Sequence, residues 1–131
     1  MHRNSQEAAS LWKEDSLQVS ISNITNPFNN VELNVGIGKD KEPIIYPLVG
    51  GMSEIKGYVI GMKREGSKTV YEFALPFDQF EVAMGKGKYC RVGLIINDLD
   101  MTEQRKWAGV KDPVYIGATK EPNNMPVMAF E

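Results

Sequence analysis

From Ser16 onward apolar and polar residues alternate one for one: Leu17, Val19 and Ile21 fall on one side, Gln18, Ser20 and Ser22 on the other. Successive side chains of a strand point to opposite faces, so this alternation predicts a strand over Ser16 to Ile21 with one buried face. The cluster Asn26-Pro27-Phe28-Asn29-Asn30 predicts a turn. Beyond it the scheme repeats, with Val31, Leu33, Val35 and Ile37 set against Glu32, Asn34 and Gly36, and stops at Gly38-Lys39-Asp40. Two further strands are predicted over Ile55 to Met62 and over Thr69 to Leu75, where Tyr71, Phe73 and Leu75 share a side and Pro76 ends the run. Phe77 and Phe80 predict a short helical turn within 77–83. Tyr89 to Asn97 is the most apolar strand, carrying Cys90, Val92, Leu94 and Ile96 on one face and Arg91, Gly93, Ile95 and Asn97 on the other, and it belongs at the centre of a sheet. Met1 to Ser10 shows no period and reads as a loose terminal segment, with ordered structure expected from about Leu11.

Short alternating strands, Gly and Pro punctuation and the lack of a long 3.6-residue period predict an all-β fold. The expectation is one antiparallel β-sandwich domain over residues 1–131, of jelly-roll or immunoglobulin-like kind. Leu17, Val19, Leu33, Val35, Phe73, Val92 and Leu94 are its expected core.

Charge narrows the partners. Fifteen Lys and Arg nearly balance seventeen Asp and Glu, so no one-sided field is present to attract nucleic acid or an anionic membrane. The apolar runs, such as Val92 to Ile96, are too short to span a bilayer, and no secretory signal pattern precedes them. Cys90 is the single cysteine and His2 the single histidine, so neither a disulfide, a Cys-His pair nor a zinc site is expected.

Candidate chemistry is correspondingly sparse. Asp98, Asp100 and Glu103 are hard oxygen ligands for calcium, but without the glycine and distal glutamate of a full calcium loop they predict at most a weak cation site, and a solvated turn is the plainer reading. A hydrolase using Asp98 with Glu72 or Asp100 ranks lowest, because no nucleophile, base and cleft converge. Trp12 and Trp107 are more informative: an aromatic at a strand edge either caps the core or lies flat under a sugar ring.

Four segments follow one another in order: Trp12-Lys13-Glu14-Asp15-Ser16-Leu17-Gln18, Tyr71-Glu72-Phe73-Ala74-Leu75-Pro76-Phe77, Asn97-Asp98 with Arg105 downstream, and Asp112-Pro113 before Tyr115-Ile116-Gly117. From about Leu11 to Lys120 the chain thereby resembles the C-terminal two-thirds of a family 9 carbohydrate-binding module. The resemblance implies a non-catalytic β-sandwich that grips a glucan- or xylan-type sugar chain, often with structural calcium, and it makes the family's N-terminal strands the missing part. It also implies that Trp12 stacks on a pyranose, that Gln18, Asn34 and Asn97 bond its hydroxyls, and that Arg105 and Trp107 contribute from the following loop. A second platform tryptophan before Asp112 is not found, since Val110-Lys111 stand there.

The partner so implied is a carbohydrate, with other domains of a longer parent chain, such as a glycoside hydrolase, beside it. An extracellular or periplasmic location follows from the resemblance alone. The rival expectation is a structural or docking β-sandwich, in which Asp15 and Glu72 serve folding and no sugar site exists.

Overall fold

The computed structural model describes residues 7–13, 15–26, 29–49, 51–80, 89–99, 105–109, 115–116, 119–120, 125 and 127–129; for Trp12, Phe77, Asp98, Leu99 and residues 105–109, 115–116 and 119–120 it describes the backbone alone. The described residues form the strands β1 (Ser16–Ser22), β2 (Asn30–Ile37), β3 (Pro43–Val49), β4 (Val59–Glu65), β5 (Lys68–Ala74), β6 (Tyr89–Leu99), β7 (Arg105–Gly109), β8 (Tyr115–Ile116), β9 (Thr119–Lys120) and β10 (Val127–Ala129). Two 3₁₀ helices accompany them, η1 (Ala8–Lys13) and η2 (Phe77–Phe80). Every strand pair is antiparallel, and there is no α-helix among the described residues. The chain is an all-β, antiparallel β-sandwich-like fold.

The larger layer is a six-stranded sheet in the order β10-β6-β1-β2-β3, with β7 also paired to β6. β6 is central, as its apolar composition requires: β1 lies along one side, and β10 and β7 share the other. The smaller layer is the β4–β5 hairpin. Between them lies the core, in which Val19, Ile21, Val31, Leu33, Val35, Ile45, Ile55, Phe80 and Cys90 are buried. Leu17, Ile60, Tyr71, Phe73, Val92 and Leu94 pack against that group half-buried. All seven expected core residues are thus in the core or against it, since alternation sends each to the same side of its strand.

Turn chemistry sets the connections. After β1 the Asn23 carboxamide oxygen accepts from the Thr25 amide at 2.8 Å, the Thr25 hydroxyl at 2.7 Å and the Asn26 amide at 3.1 Å, an Asx turn that reverses the chain into β2. Between β2 and β3 the Gly38 amide donates to the Glu42 carbonyl at 3.0 Å, with Lys41 at φ 64°. Gly66, at φ 59° in the first position of a two-residue turn, closes the β4–β5 hairpin; a side chain there would oppose the positive φ the turn needs. The Gln79 side chain of η2 bonds both main-chain groups of one residue, accepting from the Lys56 amide at 2.9 Å and donating to the Lys56 carbonyl at 2.6 Å.

Several boundaries differ from the sequence reading. Among the described residues, regular structure is already present before Leu11, at Ala8: the Lys39 ammonium donates to the Glu7 carboxylate, and η1 touches β1, β2, β3 and β6 with Leu11 fully buried. That hydrogen bond and the Glu7 charge push the Lys39 ammonium above its ordinary value. The strand expected from Ile55 begins at Val59, because Gly57 at φ 71° interrupts extended backbone. β3 was not predicted at all, and Arg105–Gly109 is a strand where a loop was expected.

Candidate functional site

The face of the large sheet turned away from the core carries the even-numbered residues of β1 and β2 and the odd-numbered residues of β6. Strand register arranges them in two adjoining rows. One runs Ile44, Gly36, Ser16, Asn97, Trp107 across β3, β2, β1, β6 and β7. The next runs Tyr46, Asn34, Gln18, Ile95, Gly109 over the same strands. Polar positions hold the middle, and aromatic positions mark opposite ends of the two rows.

This face is polar yet mostly removed from water. Ser16, Ser20, Ser22, Glu32, Asn34 and Asn97 are all buried, whereas Gln18 and Tyr46 are half-buried. Most of the polarity is consumed internally. The Asn97 carboxamide donates to the Ser16 hydroxyl and to the Gln18 carboxamide oxygen, each at 3.1 Å, and Gln18 in turn donates to the Glu32 carboxylate at 2.8 Å. From Asn97 through Gln18 to Glu32 each carboxamide donates to the next group, so one bond polarises the other.

Asn34 stands apart from it. Its side chain is fully buried, in register with Gln18, and both its Nδ2 and its Oδ1 lack a partner among the described residues. An unmet buried donor or acceptor costs about 1–3 kcal/mol, so native structures fill such positions with water or with a ligand. A carboxamide presents a donor and an acceptor side by side. Its complement is a molecule carrying neighbouring hydroxyl groups, each able to give and receive a hydrogen bond.

Gln18, Asn34 and Asn97, the three expected polar contacts, are therefore brought together on one sheet face. Trp107 and Arg105 sit on β7, in register with Asn97 and Leu99 respectively, which puts both positions in line with that face; the loop assigned to them by sequence is a strand. Trp12 falls on the backbone of η1, beside the start of β1. Its side chain lies outside the described residues, as do those of Arg105 and Trp107. Of the candidate cation ligands, Asp98 is paired in register with Lys106, and Asp100 and Glu103 lie outside the described residues. No group of three or more His, Cys, Asp or Glu occurs among the described residues.

Sequence reasoning passed over three members of the arrangement. Ser16 and Glu32 are part of the hydrogen-bond relay, and their signal was present, since both fall on the polar side of their strands. Tyr46 was missed together with β3. Glu72, offered as a carboxylate for hydrolysis, is exposed on β5 in the other layer of the sandwich, away from this face.

Comparison with protein-family models, with curated proteins and with solved structures finds no match to this chain.

Proposed function

We propose that the chain is a non-catalytic carbohydrate-binding domain whose site is the polar face centred on Asn34. The observation that carries this reading is the Asn34 carboxamide, fully buried with donor and acceptor unmet in a row of polar side chains that ends in an aromatic position. A pyranose suits such a row. Its hydroxyls bond to carboxamides in pairs, and its C–H face packs on an aromatic ring. Gln18, half-buried beside Asn34, is the point of entry, and Asn97 and Glu32 hold it in place through the relay. Trp12 and Trp107 are the stacking candidates, Arg105 a further hydroxyl or ring contact, and the acidic positions after Asn97 a weak calcium site at most.

Titration of tryptophan fluorescence with soluble gluco- and xylo-oligosaccharides tests the proposal. Few hydrogen bonds add net energy after desolvation, so dissociation constants of about 0.1–10 mM are expected, corresponding to only about 3–5 kcal/mol. Trp12→Ala and Gln18→Ala are each expected to abolish the response while the fold persists. A second reading, a structural or docking domain, draws on the burial of the relay, which fixes strand register without any ligand. An unchanged fluorescence with every sugar, together with unfolding of Trp12→Ala, decides for that second reading.

A further inference from the structure

The β4–β5 hairpin is a sheet of only two strands, and among the described residues β5 has no strand neighbour but β4. β4 is the member of the pair that also touches β3, so β5 forms the outer edge. Its register with β4 is unbroken, whereas the β2–β3 pairing carries a shift between Glu32 and Leu33. Neither a proline nor a bulge blunts this edge.

The hairpin geometry fixes which backbone groups the edge offers. Glu65 and Lys68 close a two-residue turn, so they form a hydrogen-bonded pair, and hydrogen-bonded pairs alternate along the hairpin. Lys68, Val70 and Glu72 therefore spend their amides and carbonyls on β4, and Thr69, Tyr71 and Phe73 turn theirs outward. The side chains of Lys68, Val70, Glu72 and Ala74 all stand exposed on the outer face, Val70 at 36%.

The exposed row is complementary to itself. Read from Val70 outward it is positive at Lys68 on one side and negative at Glu72 on the other. A second copy laid antiparallel about a two-fold axis at Val70 sets Lys68 opposite Glu72 twice. It also sets Thr69 opposite Tyr71 as hydrogen-bonded pairs, and it brings Val70 against Val70 at a non-hydrogen-bonded pair, where side chains approach most closely. Glu65, in register with Lys68 across the hairpin, has its carboxylate ion-paired with Lys63, itself in register with Val70, so the alternation of sign continues into β4. An axis at Lys68 or at Glu72 sets like charges face to face and any other axis within the strand leaves Lys68 and Glu72 without each other, so the charge pattern favours the axis at Val70.

We propose that this edge is a homodimerisation surface: two copies join β5 to β5 antiparallel about Val70, giving one continuous four-stranded β4–β5–β5–β4 sheet with closed two-fold symmetry. The proposal is independent of any sugar site on the opposite layer.

Sedimentation velocity of the full chain between about 1 μM and 1 mM, where mass action moves a weak dimer, is expected to show a concentration-dependent dimer. Lys68→Glu makes the row wholly acidic and Glu72→Lys makes it wholly basic, so each variant alone is expected to self-associate at least about tenfold more weakly. An equimolar mixture of the two is expected to recover the parental dimer, because the acidic row then faces the basic one. Should either charge variant fail to fold, Val70→Lys, which sets two ammonium groups face to face on the axis, replaces it with the same expected loss. A parent that stays monomeric, variants that dimerise like the parent, or a mixture that stays monomeric overturns the proposal.

Discussion

The two faces of the large sheet are built by the same strands, yet they are held by different forces. On the inner face Val19, Leu33 and Val35 are buried among apolar neighbours, and the hairpin covers them. On the outer face Ser16, Asn34 and Asn97 are buried to a similar degree, but they are polar. Non-directional burial suffices on the first. On the second each buried group needs a partner of matching geometry; the relay from Asn97 through Gln18 to Glu32, with Ser16, supplies it for its members, and Asn34 lies outside it. The lesson is that burial alone does not locate a site. What distinguishes Asn34 from its buried polar neighbours is the hydrogen-bonding capacity left after partners among the described residues are counted.

The contrast can be broken from either side. Leu33→Ala, at a fully buried inner position, removes apolar contact and leaves a cavity, so urea unfolding should show a loss of about 2–5 kcal/mol. Asn97→Ala removes two donated hydrogen bonds from the outer face, and a loss of about 1–3 kcal/mol is expected in the same measurement. If this variant is as stable as the parent, the relay contributes nothing to the fold. Asn34→Leu should act in the opposite direction. It keeps the branched shape of the side chain and discards the unmet donor and acceptor, so stability should hold or rise by about 1 kcal/mol. A marked loss of stability would instead mean that Asn34 has its partners in the free protein.

The smallest expected effect is at Cys90, buried on the inner face, where loss of water pushes the thiol above its ordinary value. A group whose folded value is raised stabilises the protein fully below its unfolded value, about 8.5 for cysteine, and loses that contribution as pH rises from there through the folded value. The melting temperature of the parent should therefore fall more steeply above that pH than that of Cys90→Ala. Parallel curves would show that the thiol is better hydrated than its position implies.

Much of the sheet was legible in the sequence, because β1, β2, β5 and β6 each have one wet or polar side and one apolar side over several residues. β3 was not legible. Pro43 and Pro47 cannot donate to a ladder and argue against a strand, yet an edge position tolerates them, and β3 ends the sheet order next to β2. Arg105–Gly109 was hidden by its charged beginning, since pairing with the far end of β6, not its own alternation, makes it a strand. Gln18, Asn34 and Asn97 were placed on the polar side of their strands by period alone, and strand register puts them on one sheet face. Their burial was not foreseen, because η1 touches the four neighbouring strands from a segment that shows no periodicity. Nor can alternation tell a carboxamide with internal partners from one without: Gln18 and Asn34 look alike in sequence and differ only through Glu32 and Asn97.

The central claim, that the unmet Asn34 carboxamide marks a sugar site, is tested most directly by the side-chain amide resonances of a ¹⁵N-labelled sample during titration with cello- and xylo-oligosaccharides. The account predicts that the Asn34 side-chain amide shifts most, that those of Gln18 and Asn97 follow through the relay, and that Asn34→Leu removes the saturation behaviour without unfolding the chain. Side-chain amides of Asn34, Gln18 and Asn97 that stay fixed at about 10 mM sugar, a concentration at or above the dissociation constants expected here, would contradict it.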